Sequence, residues 1–348
     1  MGKLVDSRLF KLVRDFLKTY LPSLRKCSPN TIRAYQKALE LLFDFVKTQK
    51  GIKLHQITFD MIDNKIINSF LEHLEKERSC CVSTCNHRLH CIRSFYAYAA
   101  ENDITVMAHW QNLKKVKTAK APTELVGHMS EAAVGAILSQ PDISTRKGLR
   151  DMFIMMLLYQ TGARIQELLN IRLRDINFGN APTVTLHGKG GKVRPVPLRE
   201  KAVDHLRQYL VVFHPDESRH SERYLIYVIR NGSINRMTED NVRRMVHRYG
   251  ITAQNICHEV PENVHPHLFR HSRAMHLYQN GVDLTLVSQW LGHSKLETTL
   301  IYAHADTELK RKAIEKAIPE DSLLKPFLNA DRYRVDDEEV LKLLYGLK

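Results

Sequence analysis

From residue 7 to about residue 112 the apolar side chains return every three or four positions and show no alternation. That pattern predicts helices, broken where proline, glycine and polar residues cluster. Leu9, Leu12, Val13, Phe16, Leu17 and Tyr20 line one face of a first helix, with Pro22 expected just past its end. Ser28 and Pro29 carry the start signal of a second, a hydroxyl N-cap and a proline at the first helical position, ahead of Ile32, Tyr35, Leu39, Leu42 and Phe43. A third is predicted near Asp60 to Lys76 and a fourth from Ser79 or Ser83 to Ala100. The spacing implies a small helical bundle with Lys and Arg on its outer faces.

The periodicity then lapses. Between Leu113 and His128 the run KKVKTAKAPTEL has four lysines and Pro122 and little to bury. It reads as an interdomain linker, and equally as a basic strap lying along a polyanion. Helical spacing resumes near Met129, with Ser130 as N-cap for Glu131 to Leu138. A strongly apolar helix from Met152 to Tyr159 stops at Thr161 and Gly162, and another begins at Ala163. From Thr183 to Leu198 the residues TVTLHGKGGKVRPVPL alternate on either side of Gly190 and Gly191, the one clear β-hairpin signal. Helices are predicted again at Glu200 to Phe213, Thr238 to Tyr249, Pro266 to Gln279, Asp283 to Leu291, Leu296 to Ala303 and Asp306 to Ile318. Beyond these, Val340, Leu341, Leu343, Leu344 and Leu347 outline a terminal amphipathic helix behind the acidic stretch Asp336 to Glu339. The expected fold is mostly α with a small β-hairpin or sheet. It divides into a helical domain over 1–112, a basic linker over 113–128, a mixed α/β domain over 129–318 and a tail over 319–348.

Composition narrows the class of partner. The 348 residues suffice for two domains, each with its own core. Fifty-two Lys and Arg against 38 Asp and Glu leave a formal charge of +14, which suits DNA, RNA or an anionic membrane. No apolar run approaches the roughly 18 residues of a membrane span, and Met1 to Phe10 lacks the apolar core of a signal peptide. A cytoplasmic protein is therefore expected. Cys80, Cys81, Cys85, His87 and Cys91 suggest zinc, but on one short helix four ligands cannot converge on a tetrahedral ion. Buried, reduced thiols are the preferred reading.

Four segments carry chemistry: TGARIQELLNIR (161–172), HGKGGKVRPVPL (187–198), HPHLFRHS (265–272) and LGHSKLETTLIYAH (291–304). Each alone has a bland account as a solvated helix start, a turn, a His-rich loop or a core tyrosine. GKGGK is not a Walker loop, because the earlier glycine and the following Ser or Thr are both missing. In this order the segments resemble the tyrosine recombinase (phage integrase) family. That family carries an Arg in GxRxxE, a Lys on a β-hairpin, HxxR, LGH, and a Tyr nine residues after the last His. Arg164 with Glu167, Lys189, His267 with Arg270, His293 and Tyr302 fill those places.

The resemblance implies an N-terminal core-binding domain, a C-terminal catalytic domain, and a site-specific recombinase that cuts and rejoins DNA through a 3′-phosphotyrosine. Phosphodiester displacement needs cations on the non-bridging oxygens, a role it gives to Arg164 and Arg270, with His293 as a further donor. Tyr302 becomes the nucleophile, His267 handles its proton, and Lys189 on the hairpin tip protonates the leaving 5′-oxygen. Glu167 lies one turn from Arg164, either fixing that guanidinium or as a solvated charge. Lys192, Arg194 and His271 are further candidate DNA contacts. No cofactor and no metal are expected, and the partner is double-stranded DNA with paired sites, held by a homotetramer. An integrase or transposase of a mobile element is favoured over an Xer-like enzyme that resolves chromosome dimers. A type IB topoisomerase and a non-catalytic DNA-binding regulator are the readings from outside the recombinases. The tail is expected either to dock on a neighbouring protomer or to pack on its own chain.

Overall fold

Asp6 opens helix α1 (Ser7–Asp15) by accepting the Leu9 amide at 3.0 Å. The protein is described here by a computed structural model, which covers residues 4–120, 127–305, 311 and 338–346. These fall into two units that divide between residues 123 and 124.

In the first unit the chain does not stop at Pro22. It continues through a wide π-helical stretch, Phe16–Leu24, where the Arg25 amide reaches the Tyr20 carbonyl at 2.9 Å. Proline removes one donor and crowds the carbonyl four residues back, and opening the helix to a five-residue repeat relieves both. The expected break at Pro22 is thus replaced by a widened turn. Helix α2 (Pro29–Lys50) starts under the Ser28 cap and ends at Gly51, whose φ of 62° lies in the left-handed region. Helix α3 (Asn64–Lys76) begins at an Asp63 cap, with a short 3₁₀ turn at Phe59–Met61 before it. Helix α4 spans Val82–Asn102, and an unanticipated α5 (Met107–Lys114) buries Leu113. Phe16 meets Tyr35 and Phe95 edge-on at 5.5 and 5.6 Å, at the centre of an aromatic core. Cys85 and Cys91 are buried, whereas Cys81 is exposed.

The second unit is built around one helix whose central turns have no solvent face. After α6 (Glu131–Leu138, capped by Ser130) comes α7 (Arg146–Thr161), buried at every position from Met152 to Leu158. Its Phe153 stacks on Tyr209 of α9 (Glu200–Phe213) with ring centres 4.1 Å apart. Between them lie α8 (Ile165–Leu169) and a three-stranded antiparallel sheet of β1 (Ile176–Asn177), β2 (Thr183–His187) and β3 (Val193–Pro197), in that order. A second hairpin, β4 (Tyr227–Arg230) with β5 (Ser233–Arg236), corrects the expectation of one. Its turn is Asn231-Gly232, both at positive φ, and its arms are largely exposed, so no alternating apolar face announces it. Helices α10 (Glu239–Gln254), α11 (Pro266–Gln279), α12 (Leu284–Leu291) and α13 (Glu297–Ala305) follow. The helix expected at 306–318 lies outside the described residues except Arg311. Of the tail, a short α14 (Glu338–Leu344) is described, with Val340 and Leu343 exposed.

Candidate active site

Two helices end in glycines where the site forms. Gly162 closes α7 and Gly292 closes α12, both left-handed, with φ of 59° and 66°. A methyl group on Gly162 would sit 2.9 Å from the Leu291 side chain, and one on Gly292 would sit 2.7 Å from Nη1 of Arg194. Only glycine satisfies both the backbone and the space. The converging helix ends present carbonyls, the negative pole of each helix. Arg270 of α11, 1% exposed, donates from Nη1 to Gly162 O at 2.6 Å and from Nη2 to Leu291 O at 2.7 Å. Three of the four segments, all but the hairpin, meet at this one guanidinium.

Arg164 stands as the N-cap of α8. Its amide donates to Glu167 Oε2 at 3.0 Å and its Nη1 to Glu167 Oε1 at 2.9 Å, while 42% of its side chain stays open to solvent. Glu167 is 4% exposed and takes a third bond, from Nη2 of Arg194 at 2.7 Å. It is a buried guanidinium partner, not a solvated charge. Burial pushes its carboxyl up, but the bonds from Arg194 and the Arg164 amide outweigh that and hold it below the ordinary range. Arg194 also donates from Nε to Trp290 O at 3.0 Å and is only 13% exposed at its side chain. Its guanidinium turns inward, which differs from the strand-borne DNA contact expected for it. Burial first, then the charge of Arg164, lowers Arg270 to about 9, with Glu167 opposing. Two guanidiniums hold the Glu167 carboxylate and a third, Arg270, lies within its field, so positive charge exceeds negative there, which suits an anion.

Tyr302 lies on α13, 1% exposed, with its hydroxyl 2.9 Å from Nδ1 of His271. Burial raises the phenol to about 12, and Arg270 and Arg164 pull the other way. His267 was expected to handle this proton; the imidazole on the hydroxyl is instead His271, one turn along α11. The two rings meet edge-on at 4.7 Å. Burial, then the charges of His267 and Arg270, lowers His271 to about 4. His293 is likewise lowered to about 4, by burial and then by Arg270, Arg164 and Arg194, and its Nδ1 is 2.8 Å from the buried Thr299 hydroxyl. Both imidazoles are therefore neutral at pH 7. Lys189 occupies the β2–β3 tip, where Gly190 and Gly191 have positive φ; its side chain lies outside the described detail. Lys192 is exposed on the returning arm.

Two of these roles had a signal in the sequence. His267 and His271 are four apart on one helix and so share a face. Arg194 is two residues from the buried Val196, and strand parity turns both to one side. Nothing in the sequence singles out Thr299.

Residues 128–308 match the phage integrase family model, and residues 8–117 match the phage integrase SAM-like domain. A candidate integrase/recombinase of Sinorhizobium fredii is 29% identical over 330 residues, 94% of this chain and 96% of its own. The tyrosine recombinase XerD of Staphylococcus epidermidis is 30% identical over 312 residues, 86% and 96% of the two chains. Among solved structures, XerH site-specific recombinase bound to its palindromic difH substrate, a post-cleavage complex, superposes with a TM-score of 0.64. That match covers 90% of each chain at 21% identity.

Proposed function

This chain belongs to the phage integrase family and is a tyrosine recombinase, and from that premise we propose that Tyr302 attacks a DNA phosphate held by Arg164, Arg270 and His293. The observation that carries the reading is the Tyr302 hydroxyl, bonded to an imidazole and within the fields of Arg270 and Arg164 in a single chain. Two guanidiniums bind the non-bridging oxygens, and His293 donates from Nε2 while Thr299 satisfies Nδ1. His271, with His267 beside it, takes the phenol proton, and Lys189 protonates the leaving 5′-oxygen. The ester bond energy is kept in the 3′-phosphotyrosine, so a second 5′-hydroxyl reverses the step. No part of this sequence calls for a cofactor.

We assign residues 1–112, together with the end of α5 and Val116 that pack into the same core, to a DNA-binding domain, the basic stretch that follows up to residue 128 to a linker and 129–318 to the catalytic domain. The substrate is double-stranded DNA carrying paired sites, in the cytoplasm, and four copies of the chain form the synapse. Several relatives bear Xer names and one is named an integrase/recombinase; our reading is a mobile-element integrase, with a chromosome-dimer resolving enzyme as the alternative. The experiment uses duplexes from the flanks of the gene, nicked beside each trial site so that the cut end diffuses away. Native protein traps a covalent 3′-adduct, and Tyr302→Phe traps none. On intact duplexes, which keep the 5′-hydroxyl that rejoins, adduct chemistry with no strand exchange between duplexes would indicate a topoisomerase; absence of any adduct on the nicked duplex would indicate a DNA-binding regulator.

A further inference from the structure

Strand β3 places Arg194 directly across from Leu186 of β2, while the next pair on the same face is Val184 with Val196. Leu186, Val184 and Val196 are all buried, so the pleat sends the Arg194 side chain inward with them. An arginine on that face is unexpected unless its guanidinium has partners. It has two. Nη2 reaches Glu167, which also holds Arg164 through both its amide and its Nη1. Nε reaches Trp290 O, one residue before the Leu291 carbonyl that anchors Arg270 and three before His293. Nη1 lies against the face of Gly292 that no side chain can fill.

From this placement we infer that Arg194 is a positioning residue for the reaction, not a DNA contact. It fastens the Lys189 hairpin to the Glu167–Arg164 pair and to the α12 turn that aims His293. The inference rests on the recombinase reading and extends it to a residue that need never touch DNA. The planar fork is essential, because its two partners lie in different directions and a lysine ammonium on a flexible stem cannot hold both in register. Without it, Glu167 and the Trp290 carbonyl each lose a charge-assisted bond, and the phosphate-binding groups drift relative to one another. A displacement of about 1 Å at a reacting centre typically slows the step on the order of a hundredfold.

The test compares full-length native protein with Arg194→Gln, Arg194→Lys, Glu167→Gln and the Arg194→Gln/Glu167→Gln pair. The substrate is the nicked duplex that native protein cleaves. Two quantities are read, DNA affinity across a salt series and the single-turnover rate of adduct formation at saturating DNA. The expected result is affinity within about twofold of native and an unchanged salt slope. The saturating rate falls on the order of a hundredfold for Gln and at least about tenfold for Lys. The double variant is expected to lose less than the product of the two single losses, because both changes break the Arg194–Glu167 bond while each also breaks a contact of its own, to Trp290 O or to Arg164. A salt slope reduced by about one, with a native rate at saturation, would make Arg194 a phosphate contact and overturn the proposal. Fully multiplicative losses in the double variant would overturn it too. Thermal melts establish that each variant folds; should Gln prevent folding, the Lys variant decides by the same split between affinity and rate. Failure of native protein to form any adduct would sink the recombinase mechanism itself, a result distinct from every outcome for Arg194.

Discussion

Replacing Arg270 with lysine separates charge from geometry at the centre of the site. The native guanidinium is 1% exposed and donates two bonds, 2.6 Å to Gly162 O and 2.7 Å to Leu291 O. Lysine keeps the positive charge, but its single ammonium cannot span carbonyls at the ends of two helices. One buried acceptor then goes unpaired, at a cost of about 1–3 kcal/mol in stability. On the proposed mechanism the same change removes one directed donor from the phosphate, worth about 3 kcal/mol of barrier, or a hundred- to a thousandfold in rate. Equilibrium urea unfolding measures the first quantity, and single-turnover adduct formation on a nicked duplex at saturating DNA measures the second. Arg270→Lys that cleaves within about threefold of native would refute the requirement for a fork. An unchanged urea midpoint would refute the account of how the guanidinium joins α7 to α12.

The histidines make stability pH-dependent in a defined direction. His271 and His293 are held near 4, below their ordinary value of 6.5. An unfolded chain accepts protons below about 6.5 that the folded one refuses until about 4, so stability is full above 6.5 and declines as pH falls toward 4. Urea midpoints collected from pH 8 to pH 4 should show that decline, and a flat profile would contradict it. Gly292→Ala should destabilise the protein by about 1–3 kcal/mol, since φ is 66° and the new methyl meets Arg194 at 2.7 Å. A melting temperature unchanged from native would show that the turn relaxes without cost. Deleting residues 333–348 should weaken synapsis if the tail docks on a neighbouring protomer. Synapses that form at the native protein concentration, followed by gel shift of paired duplexes, would exclude that role.

Much of the fold was legible because the signals were local. Ser28 with Pro29, and Ser130 before Glu131, mark helix starts through their own chemistry, and both caps are present. The β2–β3 hairpin showed through alternation. The β4–β5 hairpin did not, because its arms are exposed and only Asn231-Gly232 betrays it. Pro22 misled because the penalty for proline applies to a four-residue repeat, and the chain adopts a five-residue one. For the site, the family resemblance pointed to Arg164, Arg270 and Tyr302, but no spacing tells which of two histidines faces a phenol. That choice is made by the packing of α13 against α11, a contact between segments about thirty residues apart. Arg194 differs: its charge suggested DNA, although strand parity with the buried Val196 already turns it inward.

The proton affinities constrain how the phenol reacts. With the Tyr302 phenol raised and the His271 imidazole lowered, both chiefly by burial, transfer of the proton between them in the free protein is strongly uphill. A bound phosphate changes both partners. Burial is the main cause that holds His271 and His293 down, and the negative charge offsets the cationic part that adds to it, which raises the imidazoles. The same charge weakens the cationic support that a free phenolate would draw from Arg164 and Arg270, so the gap between donor and acceptor closes little. Charge forming on equatorial phosphate oxygens is in a different position, because those atoms are the ones the arginines would contact. The favourable route on the proposed mechanism is therefore for the proton to leave as the oxygen–phosphorus bond forms, so that negative charge passes to the phosphate without resting on the buried ring. A phenol kept protonated until a phosphate is in place is also one that does not react with whatever else reaches the site.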